Sequence, residues 1–191
     1  MAENIRKLNY ARAAIESARS GLAHIVKTEP HGYLALFLSI GLITNVRAIF
    51  HVILKRETKV SSAHRDAIAL WLKTQPTDMT RFKEIWARAR DLLIKEFSAI
   101  PIVATSSGST KNYSLSLYLP SRPISESVLT EDEIRDRQLA SRFAAAMGGD
   151  GTTIANSIRV DIISECAAML ELWDREVAAI EAAISEALDA A

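Results

Sequence analysis

The residues with the clearest capacity for chemistry lie between Arg90 and Glu96, in the string RDLLIKE. Arg90, Asp91 and Lys95 are the candidate catalytic residues of the chain. A proton-transfer role would fall to Lys95, whose ordinary pKa of about 10.4 would have to be lowered strongly for work near neutral pH. The types and spacing of these residues therefore allow acid–base chemistry but do not require it.

An amphipathic helix is predicted to position these residues, because TRFKEIWARARDLLIKEF (80–97) places its apolar residues at helical spacing. Asp91 and Lys95 point away from the apolar side and pair at i,i+4. Glu96 projects on the apolar side, where an unpaired charge would be costly. Its predicted partner is Arg47 of an earlier apolar helix, so Arg47 and Glu96 form a candidate structural ion pair. Arg90 lies at the edge of the apolar side.

A second motif, GGDGT at 148–152, resembles the phosphate-donor loop of NAD kinases and diacylglycerol kinases. In those families the loop follows an apolar strand in an α/β fold. Here the preceding string RFAAAM is helical in pattern, and no alternation of strands and helices surrounds it. We interpret the motif as a glycine that ends one helix and a threonine that begins the next.

The sequence predicts neither a metal site nor a cofactor. The histidines at 24, 31, 51 and 64 lack an HExxH spacing, and Cys166 is the only cysteine, so it cannot form a thiolate cluster or an intrachain disulfide. An inert buried thiol is the interpretation for Cys166. The N-terminal residues lack the apolar core of a signal peptide, and we expect a cytoplasmic protein.

Composition favours one mostly helical domain over residues 1–191, since 49% of the residues are hydrophobic and glycine and proline are sparse. The 23 basic and 23 acidic residues balance, but residues 1–100 are net basic and residues 101–191 net acidic. These two halves either meet inside the fold or across a dimer, or they provide a basic face for RNA or a nucleotide. No DNA-binding motif is present, and no Lys/Arg run is dense enough for a dedicated nucleic-acid patch.

The first half of the chain predicts three helices before the 80–97 segment, at about 3–27, 33–57 and from Ser61 or Ser62 to near Gln75. The second of these is the most apolar part of the chain and is long enough to suggest a membrane span. Arg47 and His51 argue against that interpretation. We therefore expect no membrane and a central core helix surrounded by the others.

The second half adds extended and helical segments. Alternating strings around 100–103 and 113–118 predict a β-hairpin or an extended arm near 100–119, within an insertion at 99–129. A capping box at 130–133 begins a further helix that ends at Met147, and a last helix is predicted from Thr152 or Thr153 to about Leu188. The predicted fold class is all-α: an up-down bundle of about five to six helices with a small hairpin or arm and a long C-terminal helix.

A family resemblance follows from NVRAI (45–49) on the apolar helix and RDLLIKE (90–96) on the later one. Together they resemble the HEPN-like helical proteins, a superfamily of four- to five-helix bundles that usually dimerise. Its ribonuclease members carry an arginine, a polar residue after it, and a histidine four to six residues beyond the arginine. Arg90 and Asp91 match the first two positions, whereas Lys95 replaces the histidine.

This replacement separates the fold from the activity that the resemblance implies. Lysine cannot transfer protons near neutral pH as histidine does unless its pKa falls far. We therefore expect a non-catalytic, homodimeric interaction protein of the HEPN-like type, with RNA or a nucleotide as the candidate ligand. The alternative is a metal-independent ribonuclease of the HEPN type that acts through Arg90.

Overall fold

The computed structural model describes residues 6–74, 79, 102–107, 112–120 and 157–190 of the chain. Within these ranges the protein is mostly helical, with a small antiparallel sheet and a long C-terminal helix, as the sequence predicts. In chain order the elements are α1 (Asn9–Thr28), α2 (Gly32–Lys55), a 3₁₀ helix (Glu57–Lys59), α3 (Ser62–Lys73), β1 (Ile102–Ser107), β2 (Asn112–Pro120), β3 (Ser157–Asp161) and α4 (Ile162–Asp189).

The corner between α1 and α2 is formed by Glu29, Pro30 and His31, in the gap that the sequence predicts between the first two helices. Glu29 adopts a left-handed conformation with φ of 44°, and its amide donates to the Ile25 carbonyl oxygen at 2.9 Å. Pro30 follows and cannot continue the helix. The hydroxyl of Tyr113 on β2 donates to the Pro30 carbonyl oxygen at 2.6 Å, so this corner is tied to the sheet.

Helix α3 begins at the predicted cap. The Ser61 hydroxyl accepts a hydrogen bond from the His64 amide at 3.3 Å, which satisfies one of the donors that every helix start leaves free. The helix ends at Lys73, two residues before the predicted end near Gln75.

The sheet confirms the hairpin and corrects the last helix. Strand β2 lies between β1 and β3 and is antiparallel to both. Residues 157–161 were predicted to be helical, but SIRVD alternates polar and β-branched residues and pairs with β2, where Pro120 lies opposite Ser157. The Asp161 side chain then caps α4 by accepting from the Ser164 amide at 2.9 Å. The last helix is therefore shorter than predicted at its start.

The core includes side chains from all four described α-helices and from the sheet, and three aromatic rings pack together in it. Phe50, Trp71 and Trp173 have ring centroids 6.2 to 6.3 Å apart and tilted planes, an arrangement that aromatic pairs favour. The Trp71 indole donates to Glu176 of α4 at 2.5 Å, which satisfies its polar atom at the edge of the core. Helices α2, α3 and α4 thus contribute one ring each.

The predicted total of five to six helices includes segments that lie outside the described residues. The predicted helices at 80–97 and 130–147, the linker between hairpin and bundle, and the GGDGT motif all lie outside the described residues. The described part contains four α-helices.

Candidate functional site

Of the predicted site residues, the structure describes only Arg47. Arg90, Asp91, Lys95 and Glu96 lie outside the described residues. Arg47 lies on α2, where it is half-buried and its Nη1 atom is shielded from solvent. The predicted ion pair between Arg47 and Glu96 and the catalytic assignment to Arg90 therefore stay predictions.

Helix α2 has one buried side and one exposed side in the part of the chain that the structure describes. Its inner side packs against α1, α4 and β1. The side chains that are buried on this inner side are Ala35, Ser39, Leu42, Ile43, Val46, Ile49 and Ile53. The opposite side is open to solvent in its first half, where Tyr33 is 68% exposed and Leu34 and Phe37 are each 57% exposed. The sequence predicts a central core helix surrounded by the others, and in the described part of the chain the first half of α2 has this exposed side.

The open side forms a continuous stripe that we name the outer face of α2. Its members recur every three or four residues, so they fall within an arc of roughly 100° on the helix. The outer face consists of Tyr33, Leu34, Phe37, Gly41, Thr44, Ala48, His51 and Lys55. All are exposed except Ala48, which is half-buried. A Cβ atom added at Gly41 would meet nothing within 4 Å, so the middle of the face is open as well.

The composition of the outer face changes along its length. Aromatic and aliphatic side chains occupy the first two turns, small residues the middle, and His51 and Lys55 the end. The helical run Gly32–Lys59 is long and apolar enough to cross a membrane by length and composition alone, and 33% of its most apolar window is buried. A core helix of a water-soluble protein meets the same criterion, so this property does not identify the partner of the face.

Opposite charges from the two halves of the chain meet between α1 and α4. Three arginines in and just before α1 bind three carboxylates of α4 in antiparallel order. The pairs are Arg6 with Asp189 at 2.6 Å, Arg12 with Glu181, and Arg19 with Asp174 at 2.5 Å. The interpretation in which basic and acidic surfaces meet inside the fold thus applies to this part of the chain. These arginines are correspondingly less available to an anionic ligand.

The first turn of α1 is held by two carboxylates from distant parts of the sequence. Glu57 of the 3₁₀ helix is fully buried and accepts from the Ala11 amide at 2.9 Å. Glu181 of α4 accepts from the Leu8 amide at 2.8 Å and from Arg12. Both side chains act as caps in place of the local cap that Leu8 cannot supply.

The two carboxylates have opposite pKa shifts. Burial raises the pKa of Glu57 above its ordinary value, and hydrogen bonds from the amides of Ala11 and Tyr10 only partly counteract this. Burial also disfavours the ionised form of Glu181, but the hydrogen bonds from Arg12 and the Leu8 amide outweigh it and lower the pKa. The difference arises because Glu181 has a cation beside it.

Ser61, His64 and Cys166, which could in principle take part in nucleophilic chemistry, have structural roles in the described chain. Ser61 Oγ lies 2.8 Å from His64 Nδ1, and His64 has a small lowering effect on the pKa of the nearby Glu57. His64 is fully buried and Ser61 caps α3, so this set is closed to a substrate. Burial also raises the pKa of the Cys166 thiol, as expected of an inert core cysteine. No group of three or more potential metal ligands occurs among the described residues.

Sequence reasoning missed both the outer face and the two capping carboxylates. The outer face was hidden because the first half of α2 is apolar on its exposed side as well as on its buried side. Glu57 and Glu181 were missed because their partners are backbone amides distant in sequence, which no local pattern reveals.

Comparison with protein-family models, with characterised proteins and with solved structures finds no match to this chain.

Proposed function

We propose that this protein is a non-catalytic interaction protein of the HEPN-like type. It works in the cytoplasm as a homodimer and presents the outer face of α2 to its partner. The segments at 80–97 and 130–147 complete its bundle to five or six helices. The observation that supports this proposal is the exposure of Tyr33, Leu34 and Phe37 on one side of a helix. Contiguous exposed apolar side chains of this kind are typical of interaction surfaces.

The charge distribution favours a protein over a polyanion as the partner of the outer face. The arginines of α1 are paired with α4 carboxylates in the described structure. No charged side chain lies between Gly32 and Val46, so the first half of the outer face offers nothing that would attract a phosphate backbone. RNA or a nucleotide would have to bind elsewhere on the chain.

The test of this function is the mass of the protein in solution as a function of concentration. Light scattering after size-exclusion chromatography should give a dimer for the wild type. Phe37→Ser should shift the protein to the monomer, because it replaces an exposed aromatic side chain with a polar one in the centre of the apolar half. Leu70→Ser is the matched control, since Leu70 is 58% exposed on α3, away from the outer face, and it should leave the dimer intact.

Two results would contradict the proposed function. A monomeric wild type at every concentration would remove the homodimer. Cleavage of RNA by the purified protein, abolished by Arg90→Ala, would replace the non-catalytic assignment with the ribonuclease alternative.

A further inference from the structure

We infer that the partner of the outer face is a second copy of this chain, docked with its α2 antiparallel and with Thr44 at the twofold axis. This inference rests on the proposed function and specifies its geometry. It depends on how the composition of the face changes from one end to the other.

The apolar end and the basic end of the outer face are equally far from Thr44. Leu34 precedes Thr44 by ten residues and Lys55 follows it by eleven, about 15 Å in each direction at 1.5 Å per residue. A twofold axis at Thr44 therefore places Leu34 and its neighbour Tyr33 against Lys55 of the other copy. Phe37 then faces the turn that carries His51.

This arrangement makes the face complementary to itself. Tyrosine and phenylalanine rings attract a lysine ammonium over their faces, and the aliphatic stem of the lysine covers apolar surface. A parallel arrangement would instead place Lys55 beside Lys55 and leave the aromatic residues without a cation. The helix dipoles also favour the antiparallel pairing.

The middle of the face allows the two helices to approach closely. Gly41, Thr44 and Ala48 are the small residues of the stripe, and the space beside Gly41 is open. Small residues at a helix crossing let the backbones come together and bring the longer side chains on either side into contact. An isologous twofold contact of this kind is the usual form of a homodimer.

The contact is also limited in size. One side of a single helix buries less than the roughly 800 Å² per partner of a standard interface. The dimer should therefore dissociate on dilution.

Cysteine cross-linking tests the arrangement directly, because the native Cys166 is fully buried and will not react. A disulfide requires Cα atoms within about 7 Å. Thr44→Cys should give a covalent dimer under mild oxidation. Leu34→Cys should not, because the two copies of residue 34 would be about 30 Å apart. The double variant Leu34→Cys/Lys55→Cys should cross-link, whereas Lys55→Cys alone should not.

A second measurement keeps the inference independent of oxidation chemistry. Lys55→Gln should weaken the dimer roughly two- to fivefold in sedimentation equilibrium by removing the cation from the aromatic end. Arg65→Gln on α3, exposed and outside the face, should leave the affinity unchanged.

Several outcomes would overturn the inference, and they are distinguishable from failure of the proposed function. Cross-linking of Leu34→Cys alone would show a parallel dimer, which keeps the interaction function but removes this geometry. A wild-type dimer that Thr44→Cys does not cross-link would place the contact elsewhere. A monomer that sediments with vesicles of anionic lipid, and loses this with Phe37→Ser, would show that the face binds a membrane surface instead of a second copy.

Discussion

Helices α1 and α2 are antiparallel neighbours of similar length, yet they use their solvent sides in opposite ways. Arg12 and Arg19 of α1 bind carboxylates of α4, so these polar groups of α1 make contacts within the chain. The outward side of α2 carries apolar groups that the described residues leave exposed. The comparison shows that these arginines of α1 are already bound to α4, whereas the exposed apolar side of α2 is available to a partner.

The largest expected effect is on the free energy of unfolding, and one pair of matched substitutions on the two sides of α2 measures it. Leu42 is 2% exposed and Leu34 is 57% exposed. Leu42→Ala should lower the free energy of unfolding by about 2–5 kcal/mol because it opens a cavity in the core. Leu34→Ala in dilute, monomeric protein should change it by less than about 0.5 kcal/mol. Urea unfolding monitored by circular dichroism measures both, and equal losses would mean that the outer face belongs to the core.

A smaller effect is expected at the first turn of α1. Glu57→Ala should cost about 2 kcal/mol, because the Ala11 amide loses its acceptor in a buried position. Glu57→Gln should cost less than about 1 kcal/mol, since the amide oxygen can still accept and no charge is buried. Asp66→Ala, which removes an exposed carboxylate on α3, is the control and should change the free energy of unfolding by less than about 0.5 kcal/mol. If the alanine and glutamine variants unfold alike, Glu57 does not act as the cap.

The smallest effect is a difference in pH dependence between the two caps. The pKa of Glu57 is raised in the folded state, so its contribution is present below the unfolded pKa and is lost as the pH rises through the folded value. The pKa of Glu181 is lowered, so its contribution is present above the unfolded pKa and is lost as the pH falls through the folded value.

Substitution with glutamine at each site should therefore change opposite ends of the stability profile. Glu57→Gln should reduce the loss of stability above about pH 4.5, and Glu181→Gln should reduce the loss below it. Unfolding free energies measured from pH 3 to pH 7 would show this. Parallel profiles for the two variants would contradict the assigned shifts.

The local elements of the fold could be predicted from the sequence, because they depend on signals within a few residues. Pro30 marked the corner between α1 and α2, Ser61 marked the cap of α3, and the alternation around 113–118 marked β2. The error at β3 has a physical cause. The string SIRVD is too short to establish a period, and its strand conformation is fixed by pairing with β2, which is distant in sequence.

The candidate site was less accessible to sequence reasoning than the fold. The outer face of α2 depends on which side of an apolar helix the neighbouring elements cover, and hydropathy alone does not decide this. The caps at Glu57 and Glu181 depend on contacts between elements far apart in the chain. Arg90, Asp91 and Lys95, on which the sequence interpretation concentrated, lie outside the described residues and stay candidates.

The pairing of Pro120 with Ser157 brings the two ends of the segment 121–156 together in the sheet. Adjacent strands lie about 4.8 Å apart, so Pro120 and Ser157, which are 37 positions apart in the sequence, are neighbours in the sheet. Since the entropy of closing a loop grows only slowly with its length, a change in the length of the segment 121–156 should cost the pairing of β2 with β3 little free energy.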